Sequence, residues 1–299
     1  MARFLRAYFS NSMPISTDDV RAYYDSEQAS YSRYWSRTAL HYGLWYDDTN
    51  SLAEAILNTD KFVAEALTIN STDVVLDAGC GVGGTTQFIA ETTGAQLEGI
   101  TLSPVQLKIA TDRTAGLLAP DHLRFSLQDY SCTAFAEGAF SKVFGIESIC
   151  HASDKLRFLA EAYRLLKPGG KIGIVDFFFK NGDLSAASRK LYAGFLDGWV
   201  IPNLATSEQF TQFLHKAGFA EITFRDMLQY VWPSIERIYH RSLLAYPLNV
   251  VKIALGLARK DRASRYQKEL FRRGIITYGA FVAVKPELEK RVEVSTSPF

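Results

Sequence analysis

Apolar positions in this 299-residue chain alternate between short β-rich runs and stretches of helical period, most regularly between residues 74 and 178. Val74 to Leu76 is the first run. It closes on Asp77, passes through a loop with glycine at 79, 81, 83 and 84, and leads into a predicted helix from Thr85 to Glu91. Gln96 to Leu102 reads as a second strand. Ser103 is placed to cap the helix that follows, with Pro104 in its first turn and its end near Ala115. His122 to Ser126 and Phe140 to Glu147 are the third and fourth strands. A helix over Lys155 to Leu166 stops at Lys167-Pro-Gly-Gly170. Lys171 to Phe178 is then a near-continuous apolar strand, as expected when helices cover both faces of a sheet. This rhythm predicts a doubly wound α/β fold with a parallel sheet.

Two segments depart from it. Residues before about Ser71 combine helical patterns with many aromatics, Tyr23, Tyr24, Trp35, Tyr42 and Trp45 among them. From about Leu184 to Gly274 the pattern is mostly helical, with one strand at Ala220 to Asp226. Ile275 to Val284 alternates, and we read it as closing the sheet edge. The expected division is a helical, aromatic lid over 1–70, an α/β core over 71–180, and a helical cap carrying the last strands over 181–299. Seven strands result. Ligands of open α/β sheets sit at the carboxyl ends of the strands, so lid and cap are expected to shape the second substrate's pocket.

Charge and cysteine content narrow the partners. The net charge of +1 gives no broad nucleic-acid footprint. Cys80, Cys132 and Cys150 have neither metal-ligand spacing nor an even count, so no metal is expected and a reducing, cytoplasmic setting is. No apolar run is long enough to span a bilayer. The basic, apolar opening Met1 to Tyr8 is too short for a secretory segment and reads as a mobile or lid-associated arm, with a transit role left open. Ile238 to Ala258 is unusually apolar and is followed by the basic run Arg259 to Arg265. It reads first as a cap helix or subunit contact, and second as a face for peripheral membrane contact.

The glycine loop invites close approach of a ligand to the backbone, yet no Gly-Lys-Ser/Thr closes it as in a phosphate loop. Val74-Val-Leu-Asp-Ala-Gly-Cys-Gly-Val-Gly-Gly84 resembles the first motif of class I S-adenosylmethionine (SAM)-dependent methyltransferases. Leu165-Leu-Lys-Pro-Gly-Gly-Lys-Ile-Gly-Ile-Val-Asp176, about 90 residues on, resembles the same class's turn into the fifth strand. Gly99-Ile-Thr-Leu-Ser-Pro-Val-Gln106, Gly145-Ile-Glu-Ser-Ile-Cys-His-Ala152 and His41-Tyr-Gly-Leu-Trp45 are similar to the sterol and tocopherol C-methyltransferase branch. The resemblance implies a Rossmann-like fold, SAM as cofactor and methyl transfer. It also implies roles. Gly79 and Gly81 would let the backbone approach the cofactor with Cys80 packed beside it, and Asp77 would meet its amino group. Gln128 and Asp129 would take the adenine end. Many class I enzymes hold the ribose with an acid after the second strand; here Thr101-Leu102-Ser103 stands there, so Thr101, Leu102 and Gln106 would substitute. That departure is usual in the sterol-like branch and argues against a dehydrogenase.

Methyl transfer is an in-line displacement whose rate comes largely from positioning. An oxygen or nitrogen nucleophile calls for a base, whereas an alkene calls for aromatic faces or carboxylates and then a base. Glu147 and His151 follow the fourth strand and suit either scheme, with Glu147 also close to the cofactor; the plainer alternatives are a helix cap and a packed polar residue. Tyr24, His41 and Trp45 are candidates to close over the site, as is Ile149 for the substrate wall, although tyrosine-rich stretches more often pack a core. The leading expectation is C-methylation of a small isoprenoid, sterol-like or quinol-type acceptor. O- or N-methylation of a natural product such as an alkaloid comes second, then a cofactor-binding module without turnover. A homo-oligomer is compatible with all three.

Overall fold

The structure is a computed structural model and describes residues 15–117, 122–180, 183–254 and 259–287. The basic arm over residues 1–8 lies outside these residues, as do the side chains of residues 244–261, which hold most of the apolar segment and the start of the basic run.

The alternating region folds as expected into β1 (Val74–Ala78), α3 (Gly84–Thr93), β2 (Gln96–Thr101), α4 (Pro104–Thr114), β3 (Leu123–Leu127), β4 (Phe140–Ile146), α5 (Lys155–Leu165) and β5 (Leu166–Phe179). Before it come α1 (Thr17–Tyr34) and α2 (Leu52–Ala66). After it come α6 (Ala186–Trp199), α7 (Ser207–Ala217), β6 (Ala220–Asp226), α8 (Leu228–Ala254), α9 (Arg259–Arg272) and β7 (Ile276–Val284). Seven strands form one sheet in the order β3-β2-β1-β4-β5-β7-β6. β1 through β5 run parallel, and β7 runs antiparallel to both of its neighbours.

Two sequence expectations change here. β7 does not close the sheet edge: it is inserted between β5 and β6, and β6 forms the edge. Burial gives the reason. Seven of the nine β7 positions are buried and none of the β6 positions is, so the strand with apolar cover on both faces is the one paired on both sides. The Lys167-Pro-Gly-Gly170 segment does end α5, yet it is already part of β5. Gly169 has φ +75°, and the backbone there exchanges hydrogen bonds with Lys285.

β1 pairs with β2 on one side and β4 on the other, so the chain's direction of winding reverses between β1 and β4. A crevice opens at such a reversal, outside the carboxyl ends of the two strands. The N- and C-terminal segments meet above it. Trp45 N–H donates to Tyr230 O at 2.8 Å and Gly43 N–H to Ser234 Oγ at 3.2 Å, tying the 41–46 segment to α8. One apolar cluster joins Tyr42, Leu44 and Val63 to Phe195, Val231 and Tyr278. By contrast α1 buries only Val20 and Gln28. It begins with a Ser16–Asp19 capping box and is docked mainly by polar contacts.

Candidate active site

Asp77 ends the apolar run of β1 and is buried, its Oδ2 accepting from Thr86 Oγ1 at 2.7 Å. Burial pushes its carboxyl up to about 7 against the opposing Thr86 bond. The loop's glycines serve two purposes. At Gly79 (φ +100°) a Cβ would lie 2.5 Å from Ser148 Cβ, so glycine lets the turn after β1 close against the turn after β4. Ser148 Oγ fastens that closure by donating to Ala78 O at 2.6 Å. At Gly81 (φ +53°) a Cβ would meet only Leu40, at 3.6 Å, leaving that side open to a ligand. Cys80 is half-buried between them, and the amides of Gly79 and Cys80 both donate to Ile100 O.

The residues expected near the ribose have partners of their own. Thr101 Oγ1 donates to Gln106 Oε1 at 2.9 Å, and Gln106 Nε2 donates to Gln28 Oε1 on α1 at 3.2 Å. Ser103 Oγ bonds the Asp25 carboxylate, also on α1. Leu102 lies half-buried between these bonds. This loop therefore docks the N-terminal helix. Past β3, Gln128 is held at both ends, donating to Ser126 Oγ and accepting from Ala134 N–H. Asp129 is half-exposed and accepts from Ser131 N–H at 2.8 Å through Oδ1.

Glu147 follows β4 in the left-handed region at φ +49°, a conformation that costs a non-glycine residue and that recurs at functional sites. Its Oε1 accepts from Tyr42 N–H at 2.6 Å and from Tyr278 Oη at 2.8 Å. Burial again dominates and pushes the carboxyl up to about 7, with the Tyr42 bond opposing. His151 ends a short 3₁₀ turn, Ile149–His151. Its Nδ1 faces Val200 O at 3.1 Å; a carbonyl only accepts, so Nδ1 carries the hydrogen. Burial holds the ring neutral, with a pKa down to about 4. Nε2 then accepts from Tyr24 Oη at 2.8 Å. Val200 itself is left-handed (φ +55°), unusual for a β-branched residue. Beside these groups, Tyr42 Oη is buried and has no hydrogen-bond partner among the described residues.

Three expected pocket residues have partners of their own. His41 is buried, with Nδ1 donating to Tyr42 O at 2.8 Å and Nε2 3.2 Å from Asp60 Oδ1 and 3.1 Å from Thr85 Oγ1. Burial lowers its pKa, but the Asp60 bond and charge outweigh that and the net shift is upward. Trp45 Nε1 donates to Ser234 Oγ at 3.0 Å while Arg237 lies 5.1 Å over its ring, fixing the loop to α8. Ile149 is 1% exposed and packs into the core beneath Gly145. His41→Leu would leave the buried Asp60 carboxylate with only the Thr85 hydroxyl, which donates to it at 2.7 Å, so a loss of about 3 kcal/mol is expected in denaturant unfolding near pH 6. Because the folded pKa is raised, this contribution is full below the unfolded value and fades as pH rises through the folded one. The wild-type advantage should shrink at high pH.

Sequence reasoning missed Tyr278, Thr86, Asp60, Lys155 and Asp176. Asp176, an acid within the apolar β5 run, was a readable signal. Tyr278 was not, since its approach to Glu147 spans 131 positions.

Residues 75–170 match the family profile described as a methyltransferase domain. Among characterised proteins, the methyltransferase GfsG of Streptomyces halstedii is 30% identical over 65% of this chain and 70% of its own length. The 2-methyl-6-phytyl-1,4-hydroquinone methyltransferase of Synechocystis is 31% identical over 69% and 67% respectively. The chain belongs to the SAM-dependent methyltransferases. Its fold matches geranyl diphosphate C-methyltransferase from Streptomyces coelicolor, solved with S-adenosylhomocysteine bound, at a TM-score of 0.73 and 20% identity over 91% of this chain and all of that one.

The crevice suits the methyltransferase cofactor chemically. SAM carries an ammonium and a sulfonium, and Asp77 and Glu147 are buried carboxyls whose raised pKa values call for a nearby cation. Gly81 leaves room for the backbone approach that the first motif implies. Small-molecule methyl transfer with SAM is thus the activity of this fold here. No described helix is long and apolar enough to cross a membrane, and no described cluster of three His, Cys, Asp or Glu residues is suited to a metal.

Proposed function

We propose that this methyltransferase methylates a carbon atom of a small, apolar isoprenoid or quinol-type acceptor, with Glu147 as the base that removes the displaced proton. The observation that carries this reading is Glu147, a buried carboxyl poised near neutrality at the β1/β4 reversal. The likeness to an enzyme named for a phytyl hydroquinone supports the acceptor class. When bound, SAM supplies the methyl on a positively charged sulfur and leaves as a neutral thioether.

The chain's own groups then divide the work. Asp77, with Thr86 fixing its orientation, holds the cofactor's ammonium. Asp129 stands at the adenine end. A carbon nucleophile loses a proton as it gains the methyl, and two groups compete to take it. His151 is pulled down to about 4 and Glu147 is pushed up to about 7. Burial thus leaves Glu147 the stronger base of the two. His151 serves instead as a neutral acceptor that orients the Tyr24 hydroxyl, and the aromatic walls exclude water and favour developing positive charge.

Turnover should depend on pH accordingly. Glu147 acts only when ionised, so kcat/KM, which reports the free enzyme, is expected to rise about tenfold from pH 6 to pH 8 about a midpoint near 7. A flat profile across that range would remove Glu147 from the chemistry. The function itself is tested by incubating the protein with methyl-labelled SAM and a prenylated hydroquinone. Release of S-adenosylhomocysteine with label in a solvent-extractable product is expected. No release with that acceptor, a sterol or a prenyl alcohol would overturn the proposal.

A further inference from the structure

Lys155 sits on the first turn of α5, 6% exposed, in a position where sequence alone suggests a solvent-facing residue. Its ammonium is surrounded by oxygens. Nζ reaches Ala152 O at 2.9 Å, Asn203 O at 2.9 Å, Asn203 Oδ1 at 3.0 Å and Cys150 O at 3.4 Å. These acceptors have a common relation to His151. Cys150 and Ala152 are its two chain neighbours, and Asn203 lies three residues past Val200, whose carbonyl takes the His151 Nδ1 hydrogen. From the other side, Asp176 Oδ2 accepts from Cys150 N–H at 2.8 Å, while Oδ1 accepts from Phe177 N–H at 2.8 Å.

We propose that Lys155 is the positioning residue of this site, clamping the His151 turn to the Val200–Asn203 loop so that His151 presents a bare Nε2 to Tyr24. The inference rests on the reading that His151 works at the active site. One ammonium fixes both the imidazole and the carbonyl that selects its tautomer. A water-filled turn could meet the same carbonyls, so burying a lysine here needs a further reason, and charge supplies it. Lys155 is the cation beside His151 among the described residues, and it opposes imidazole protonation. Facing the ring is Tyr24 from α1, while Cys150 of the turn, Asp176 from β5 and Asp154 at the start of α5 are set against the ammonium itself. Burial alone already favours the neutral ring; the ammonium adds to that and sets which nitrogen carries the hydrogen. If Nε2 were protonated it would donate, and the Tyr24 hydroxyl would lose its acceptor.

The test is histidine-selective ¹⁵N NMR of the full chain, with the His151 signal among five histidines assigned through His151→Gln. In the wild type, His151 should remain neutral with hydrogen on Nδ1 down to about pH 5. Lys155→Met removes clamp and charge, so the midpoint should rise by about half a unit or more and a mixed tautomer should appear. Lys155→Gln keeps a hydrogen-bond donor without the charge. It should raise the midpoint while leaving the tautomer in place, and it keeps the inference testable if Lys155→Met fails to fold. Lys155→Arg, which keeps the charge, should leave the ring neutral. A wild-type His151 that titrates near 6.5, or a midpoint and tautomer unchanged in both Lys155→Met and Lys155→Gln, would overturn the proposal. Unchanged turnover in His151→Gln would instead sink the catalytic reading of His151 without touching the clamp, so the two failures are distinguishable.

Discussion

Glu147→Gln is expected to lower kcat for methyl transfer by about 10²–10⁴, the range for loss of a positioned base. S-adenosylhomocysteine should still bind within about threefold of wild type, because the side chain's size is unchanged. The amide oxygen of glutamine still accepts from Tyr42 N–H and Tyr278 Oη, the two bonds that hold Oε1 at 2.6 and 2.8 Å, so local geometry should survive. Only the capacity to take a proton is lost. Stopped-flow single-turnover rates combined with calorimetric binding separate the outcomes. A fall in affinity that matches the fall in rate would make Glu147 a cofactor ligand. A wild-type rate would return it to a structural role at a strained position.

Asp77→Asn should raise the Kd of SAM and of S-adenosylhomocysteine together, by about 10- to 100-fold, as expected for a buried hydrogen bond that loses one charge. The equal effect follows from the group it serves. Both molecules carry the ammonium, and only SAM carries the sulfonium. A loss confined to SAM would move Asp77 to the sulfonium, and no loss would leave it bonded to Thr86 alone. Linkage gives a second reading of the same claim. The free carboxyl sits near 7 and an ammonium partner lowers it, so binding releases a proton and affinity should climb from about pH 6 to pH 8. Asp77→Asn should abolish that climb.

How much of this was legible in the chain depends on the range over which each feature is encoded. The alternating core was readable because each strand and helix carries its own period, and the N-cap Ser103 sits beside the helix it starts. The place of β7 was not readable, since insertion between β5 and β6 depends on which strand has cover on both faces. The same contrast holds at the site. Asp77 sits at the end of β1, and Gly79 and Glu147 directly follow their own strands, where local sequence states position. His41, Trp45 and Ile149 stood out by residue type, but the contacts that hold them come from distant positions. Asp60 and Thr85 claim the imidazole, Ser234 claims the indole, and the core takes the isoleucine. Gln106, held by Thr101, likewise reaches Gln28 on α1, 78 positions upstream, a pairing no local motif encodes.

In the proposed reaction a carbon gains the methyl and gives up a proton. A prenylated hydroquinone deuterated at its ring positions, incubated with unlabelled SAM, tests this most directly by mass spectrometry of the product. One deuterium lost for each methyl gained is the expected result. A methylated product that retains every ring deuterium would place the methyl off the ring carbons, as on oxygen, and overturn methylation of the ring.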